Sequence, residues 1–291
     1  MRIIEKTEKF YLKYYRDIEK SRNIVEMIYL YYVLMFIEIF LNESNIYIRI
    51  TFKIFELVII IWLYIDMNKK KYWKIEESWT KRNLNLKEFM SILSLIISKG
   101  LISNIIIKIV YAIKGTTNVI IPGTVADSGT SLDTIIIAVI IAPIIEELIF
   151  RGAGLNLFGK NDNKIEAIIF TAIIFGLAHG NLSQAINSII GGCIYGYVTI
   201  EFGIIFSIIL HMINNAIVFI NYFLNIETLM EFVYILILLM WFYKRKEVIR
   251  KIKVCLNSKK QFSIKRQLVY FLNPTIFLLI IFWILEMIIS I

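Results

Sequence analysis

The sequence has few charged residues for its length. Asp, Glu, Lys and Arg make up 19% of its 291 residues, whereas a soluble globular chain has about a quarter. Apolar residues make up 58%, and the mean hydropathy is +0.70. Because a soluble chain cannot hide that much apolar surface from water, the composition excludes a soluble globular protein, a coiled coil and a disordered chain. It predicts a protein whose surroundings are lipid.

The chain also lacks several common catalytic motifs. Its two cysteines exclude a disulfide framework, and no CxxC pair is present. It has no GxSxG for a serine nucleophile and no HExxH for a zinc protease. The sequence therefore lacks the residues that the usual serine, zincin and cysteine hydrolase mechanisms require.

The basic residues are concentrated in three blocks. Residues 1–23, 66–88 and 244–267 contain 24 of the 32 Lys and Arg residues. Cytoplasmic loops of membrane proteins collect Lys and Arg, so these blocks are expected at the cytoplasmic face. Each block adjoins an apolar run, and none is accompanied by an aromatic surface for recognising nucleic-acid bases, so no nucleic-acid partner is expected.

Long apolar runs alternate with these blocks. A helix that crosses a bilayer needs about 20 mostly apolar residues. We predict an all-α, polytopic membrane helical bundle of about eight or nine transmembrane helices, in the cell membrane, with its N-terminus in the cytoplasm. The predicted spans are 24–42, 47–66, 89–113, 133–157, 165–181, 184–201, 203–222, 226–243 and 268–290.

The spans divide the chain into three parts. Residues 1–132 comprise an amphipathic N-terminal segment and three spans, and residues 133–222 comprise spans four to seven. Residues 223–291 comprise the C-terminal spans and a basic cytoplasmic loop. We expect the catalytic core in spans four to seven, because unusual polar residues gather there.

The fourth span contains two adjacent carboxylates, Glu146 and Glu147, followed by Arg151. Ionisable groups inside a bilayer are costly and mark candidate functional sites. Glu147 and Arg151 are four residues apart and can pair on one helix face, which leaves Glu146 without a partner on this helix. Pro143, one turn earlier, should loosen the helix. This pattern fits either a packing strut or a catalytic site.

Both histidines of the chain lie in the same region. His179 follows Phe175 by four residues, and His211 precedes Asn215 by four, so the members of each pair share a helix face. Between them, Ser188, Gly192 and Gly196 form a stripe of small residues. Such a stripe permits close helix packing and can bring spans four, five and seven together. Two histidines, a glutamate pair and an amide favour a site over a strut.

These residues form three ordered motifs on separate apolar runs. The motifs are Glu146-Glu147-xxx-Arg151, Phe175-xxx-His179 and His211-xxx-Asn215. Their order over residues 133–222 resembles the CPBP family, the type II CAAX endopeptidases or Abi proteins, which include the Ras-converting CAAX endopeptidase. The resemblance implies an all-helical intramembrane endopeptidase.

The resemblance also implies residue roles. Glu146, helped by His179, would activate the attacking water, and His211 and Asn215 would stabilise the oxyanion. The chemistry suits these residue types, because a carboxylate accepts a proton and an amide or imidazole N–H donates to an oxyanion.

Three further residues of the motifs, Glu147, Arg151 and Phe175, are expected to support the site.

A metal is an open alternative. Glu146, His179 and His211 can in principle hold zinc as a His₂Glu set with one open position. The resemblance favours a metal-free mechanism, because Asn215 is a better oxyanion donor than metal ligand. No cofactor is favoured, and zinc stays possible.

The expected partner is a membrane-associated peptide or protein, cut near the cytoplasmic face. The Ile-, Lys- and Asn-rich composition suggests an AT-rich prokaryotic genome, for which peptide maturation or bacteriocin self-immunity is a more natural role than cleavage of prenylated substrates. Two alternatives remain open: a non-catalytic immunity or scaffold protein, and a proton-coupled transporter that uses Glu146 and the histidines as a relay.

Overall fold

The computed structural model describes residues 46–69, 83–113, 131–158, 164–179 and 182–243, together with the single residues 30, 31, 33, 34, 37 and 281. All regular structure within these residues is helical, which confirms the predicted all-α class. The helices are α1 (Ile46–Lys69), α2 (Leu86–Ile113), α3 (132–158), α4 (Lys164–Leu177), α5 (Leu182–Phe202), α6 (Ile204–Leu224) and α7 (Glu227–Tyr243).

Seven of the nine predicted spans coincide with these helices. The predicted spans 24–42 and 268–290 lie outside the described residues, apart from the single positions given above. The predicted span 165–181 is longer than α4, because the chain turns at Ala178 and His179, where the His179 N–H bonds the Gly176 carbonyl.

Two of the described helices, α2 and α6, are long and apolar enough to cross a membrane, judged by length and composition. In α7 the apolar stretch Leu229–Tyr243 is shorter. Large apolar side chains remain exposed on several helices, for example Trp62 at 64%, Ile205 at 67% and Phe242 at 65%. Such surfaces suit contact with lipid, and the number of spans stays a prediction.

Helix α3 contains two π-helical segments. It consists of Leu132–Ile136, a π-helical Ile137–Ile141, an α-helical Ala142–Glu146, a π-helical Glu147–Gly154 and Leu155–Phe158. The Ala142 N–H bonds the Ile137 carbonyl, five residues earlier. The next donor in this register would be Pro143, which has no N–H. The two π-helical segments lie on either side of the proline, and the second begins at Glu147. Turns of this kind are frequent at functional sites.

Local sequence signals set several helix ends. At the start of α2, the Asn85 side chain accepts from the Glu88 N–H at 2.9 Å and donates to the Glu88 carboxylate at 2.9 Å, a reciprocal cap. Gly203 has a φ of 106°, which a side chain would disfavour, and it separates α5 from α6. Asn225, with a φ of 50°, ends α6 in the left-handed conformation.

The small-residue stripe of α5 packs against α4. A Cβ added at Gly192 would lie 3.0 Å from the Cα of Ala172, and one added at Gly196 would lie 3.3 Å from the side chain of Ile168. The two helices therefore approach backbone to backbone, as the sequence predicts. Besides α4, helix α5 contacts α2, α3 and α6. Helix α3 also contacts α1, α4 and α6, and helix α7 packs against α2. This arrangement places α3, α4, α5 and α6 around one buried cluster.

Candidate active site

The two adjacent glutamates of α3 lie in different surroundings. Glu147 begins the second π-helical turn, and its side chain is fully buried. The side chain of Glu146 remains 16% exposed. Since successive residues of a helix point about 100° apart, only one of the pair can face the interior of the bundle. Glu146 is therefore the carboxylate that a small molecule can reach.

Glu147 is held by its own helix, as the spacing predicts. Its Oε2 atom lies 3.3 Å from Nε of Arg151, and both side chains are fully buried. The Arg151 guanidinium lies 4.3 Å from the centre of the Phe175 ring and 5.4 Å from that of Tyr195. A buried cation needs compensating charge and polarisable contacts, and the carboxylate and the two rings supply them.

His211, on α6, contacts both glutamates. Its Nδ1 atom lies 3.0 Å from Oε1 of Glu147, within hydrogen-bonding distance. Its Nε2 atom lies 3.7 Å from Oε2 of Glu146, which is too long for a direct hydrogen bond. The ring stacks on Tyr195 of α5, with centroids 4.7 Å apart and planes inclined by 19°. The imidazole is thus fixed in orientation by a carboxylate and an aromatic face.

His179 lies in the turn that follows α4. Its Nδ1 atom is 2.9 Å from the backbone oxygen of Phe175, and its Nε2 atom is 3.1 Å from Oγ of Ser188 on α5. Glu146 and His211 lie close enough to His179 to interact with it electrostatically. The structure therefore brings both imidazoles to the accessible carboxylate.

Phe175 connects the two histidines. Its ring meets that of His179 edge-on at 4.9 Å and that of His211 edge-on at 5.8 Å. It also packs against Phe150 at 5.1 Å. Because one rigid ring contacts both imidazoles and the Arg151 guanidinium, it sets the spacing between them.

Asn215 lies one turn beyond His211, and its amide contacts α3. Its Nδ2 atom donates to the Ala138 carbonyl at 2.8 Å, while its Oδ1 atom accepts from Asn214 at 3.0 Å. In a π-helical segment the Ala138 carbonyl would accept from the N–H of residue 143, but that residue is Pro143, which has no N–H. The proline and the asparagine are therefore structurally linked. One N–H of the Asn215 amide is used in this bond, and the amide has two.

Two residues of this cluster were not singled out as site residues by the sequence. Ser188 counted only as a member of the packing stripe, yet its hydroxyl contacts His179. Tyr195 is one of 16 tyrosines in an aromatic-rich chain, and nothing in its spacing indicated a stack on His211.

The zinc alternative has no ligand set in this arrangement. In the part of the chain that the structure describes, no group of three or more His, Cys, Asp or Glu side chains is placed to hold a metal ion. Both ring nitrogens of His179 already have protein partners, at Phe175 and Ser188. In this arrangement, the described side chains do not assemble a His₂Glu zinc site.

The described helices form an all-α domain in which His211 lies near Glu146 and Glu147. His179 lies within electrostatic range of Glu146, and the Asn215 amide lies one helical turn beyond His211. Residues 129–217 match the family model described as type II CAAX prenyl endopeptidase Rce1-like, a family of peptide hydrolases. This match confirms the resemblance seen in the three motifs, all of which lie within it, although it covers less than a third of the chain. No curated protein and no solved structure was found to match the chain. The family match and the apolar helices together indicate a membrane protein.

Proposed function

We propose that this protein is an intramembrane endopeptidase in which Glu146 activates the attacking water. The observation that carries the proposal is the inequality of the two glutamates. Glu147 is buried against Arg151 and His211, whereas Glu146 is partly accessible and faces the second nitrogen of His211. A general base must reach a water molecule, so Glu146 has the position that the reaction requires.

Peptide-bond hydrolysis needs a group that takes a proton from the attacking water and a way to deliver that proton to the leaving amine. Glu146 takes a proton from water as the water oxygen bonds to the substrate carbonyl carbon, and the carbonyl electron pair moves onto oxygen. When the tetrahedral intermediate collapses, the carbon–nitrogen bond breaks and the proton passes from Glu146 to the leaving amine. His179 helps to orient the water and shares in the return of the proton, because Glu146 lies within electrostatic range of its ring.

His211 and Asn215 act as donors to the developing oxyanion. When both of its ring nitrogens carry protons, His211 donates Nδ1–H to Glu147, and its Nε2 lies 3.7 Å from Oε2 of Glu146, beyond hydrogen-bonding distance. Asn215 contributes the amide N–H that Ala138 does not use. The loss of one oxyanion donor typically lowers the rate by about 10²–10³.

The substrate class follows from the setting of the site. The site lies among apolar helices, and the basic residues of 66–88 and 244–267 favour the cytoplasmic side for these two segments. We expect the enzyme to cut a membrane-associated peptide or protein near the cytoplasmic face of the cell membrane. Peptide maturation or self-protection against a bacteriocin are the roles that such an activity serves.

The proposal is tested by mass spectrometry of small peptides from cells that contain the intact chain and cells that contain Glu146→Ala. Peptides that depend on the intact chain should disappear with Glu146→Ala and with His179→Ala, at unchanged membrane levels of the protein. Glu231→Gln is the matched control, since Glu231 is an exposed carboxylate on α7. It should leave the peptides unchanged.

The same comparison separates the alternatives. A non-catalytic immunity or scaffold protein would keep full biological activity with Glu146→Ala. A proton-coupled transporter would lose activity with no change in the peptide products of the cell. Either result would refute the peptidase assignment.

A further inference from the structure

The hydrogen bonds of His179 determine which ring nitrogen carries the proton. Nδ1 faces the Phe175 carbonyl at 2.9 Å, and a carbonyl can only accept. In the neutral ring the proton is therefore on Nδ1, and Nε2 is the acceptor. The group that faces Nε2 is the Ser188 hydroxyl at 3.1 Å, which then donates.

We propose that Ser188 is a positioning residue of the active site, whose hydroxyl orients the His179 ring through its bond to Nε2. A hydroxyl donates to the bare nitrogen of the neutral ring and accepts from the N–H of the imidazolium. His179 can therefore gain and lose a proton without losing its partner. The inference rests on the proposed function for its role in the reaction, whereas the hydrogen bond itself can be tested without turnover.

The position of Ser188 is fixed by its neighbours on α5. Asn187, the preceding residue, accepts from the Lys99 ammonium at 2.8 Å and from the Ser103 hydroxyl at 3.3 Å, both on α2. One turn after Ser188, Gly192 packs against Ala172 of α4. Since α5 is held on two sides, the hydroxyl has a defined location relative to the turn that carries His179.

The geometry distinguishes positioning from simple packing. A small residue in the stripe is needed only for helix approach, which Ala or Gly would also provide. A group that must face Nε2 needs a hydroxyl, which Thr keeps and Ala lacks. Ser188→Ala and Ser188→Thr therefore separate the two roles.

The test uses the full chain labelled with nitrogen-15 only in histidine, which gives signals from just two residues. The wild-type protein should show His179 with a protonated Nδ1 and a hydrogen-bonded Nε2. Ser188→Ala should move the Nε2 signal toward that of a nitrogen without a donor, and Ser188→Thr should restore it. The His211 signals should stay unchanged and report an intact site.

Ser183→Ala is the matched control, because Ser183 is a buried serine on the same helix. It should leave both histidines unchanged. If Ser188→Ala also leaves the His179 signals where they are, Ser188 does not hold Nε2 and the inference is wrong. That result would not touch the role of Glu146, which the peptide comparison tests separately.

Activity provides the second measurement. Peptides that depend on Glu146 should fall about three- to tenfold with Ser188→Ala, the effect of one neutral hydrogen bond, and recover with Ser188→Thr. A fluorophosphonate probe, which bonds covalently to nucleophilic serines, should not label Ser188. Labelling at Ser188 would assign the serine as the attacking group and overturn its positioning role.

Discussion

The Nδ1 atom of His211 lies 3.0 Å from Oε1 of Glu147, across a separation of 64 residues in the sequence. This contact joins α6 to α3 at the level of the glutamate pair. It engages Glu147, which also faces Arg151, and leaves Glu146 as the carboxylate with an accessible surface. The two adjacent glutamates therefore differ in role: Glu147 is held in buried contacts, and Glu146 has the accessible carboxylate.

Glu147→Ala should destabilise the protein far more than Glu146→Ala. The change leaves the Arg151 guanidinium buried without its carboxylate and removes the acceptor of His211 Nδ1. Breaking a buried ion pair costs about 3–5 kcal/mol of unfolding free energy. Thermal unfolding of both variants in detergent measures the difference. Equal melting temperatures, with normal accumulation of both, would contradict the assignment of Glu147 as a support.

Gly192→Ala should destabilise the protein, while Gly191→Ala should not. The new Cβ at 192 would lie 3.0 Å from the Ala172 backbone and 3.1 Å from Nη2 of Arg151, so these neighbours must shift by a few tenths of an ångström. Overpacking of this kind costs about 1–3 kcal/mol. At 191 the nearest atom is Cε of Lys99 at 3.4 Å, an ordinary contact. Thermal unfolding of the two variants tests this, and a lower melting temperature for Gly191→Ala than for Gly192→Ala would be inconsistent with the packing described.

Asn215→Ala should cost less stability in a Pro143→Ala background than in the wild type. In the wild type, Asn215 donates to the Ala138 carbonyl, and its loss strands a polar group at a cost of about 1–3 kcal/mol. An alanine at position 143 has a backbone N–H that can donate to the Ala138 carbonyl in the π-helical segment. A double-mutant cycle of unfolding free energies measures the coupling.

Asn214→Ala serves as the control for that cycle, since Asn214 donates to Asn215 and not to α3. Its cost should be independent of position 143. Additive costs for Asn215→Ala and Pro143→Ala would show that the proline and the amide are not linked.

Activity should survive the removal of metal ions. Among the described residues, no group of three or more His, Cys, Asp or Glu side chains is placed to hold a metal ion, and the Ser188 hydroxyl engages Nε2 of His179. Purified protein should process its peptide in chelator and contain no stoichiometric zinc by elemental analysis. Loss of activity in chelator that zinc restores would establish the His₂Glu alternative instead.

Much of the helical framework was predictable, because apolar run length and polar breaks are local properties of the sequence. The predicted span 133–157 agrees with α3, which covers residues 132–158. The pairing of Glu147 with Arg151 followed from helix periodicity alone. Each of these predictions depends only on residues within one helix.

The contacts between helices were not predictable in the same way. Asn215 donates to a backbone carbonyl, and that carbonyl lacks a helical donor only because Pro143 falls five residues after it in a π-helical segment. The sequence predicts that the proline loosens the helix, but it does not predict that the helix becomes π-helical. The bond between Ser188 and His179 depends on how α5 faces the turn after α4. These are tertiary relationships, and a single sequence contains no periodicity that reports them.

The central claim is that Glu146 activates a water molecule for peptide-bond hydrolysis. The most direct measurement uses a synthetic copy of a peptide whose cleavage depends on Glu146 in cells, incubated with purified protein in lipid vesicles and heavy-oxygen water. The account predicts one heavy oxygen in each new carboxyl terminus with the wild type, and no product with Glu146→Ala. Cleavage by Glu146→Ala at the wild-type rate would contradict it.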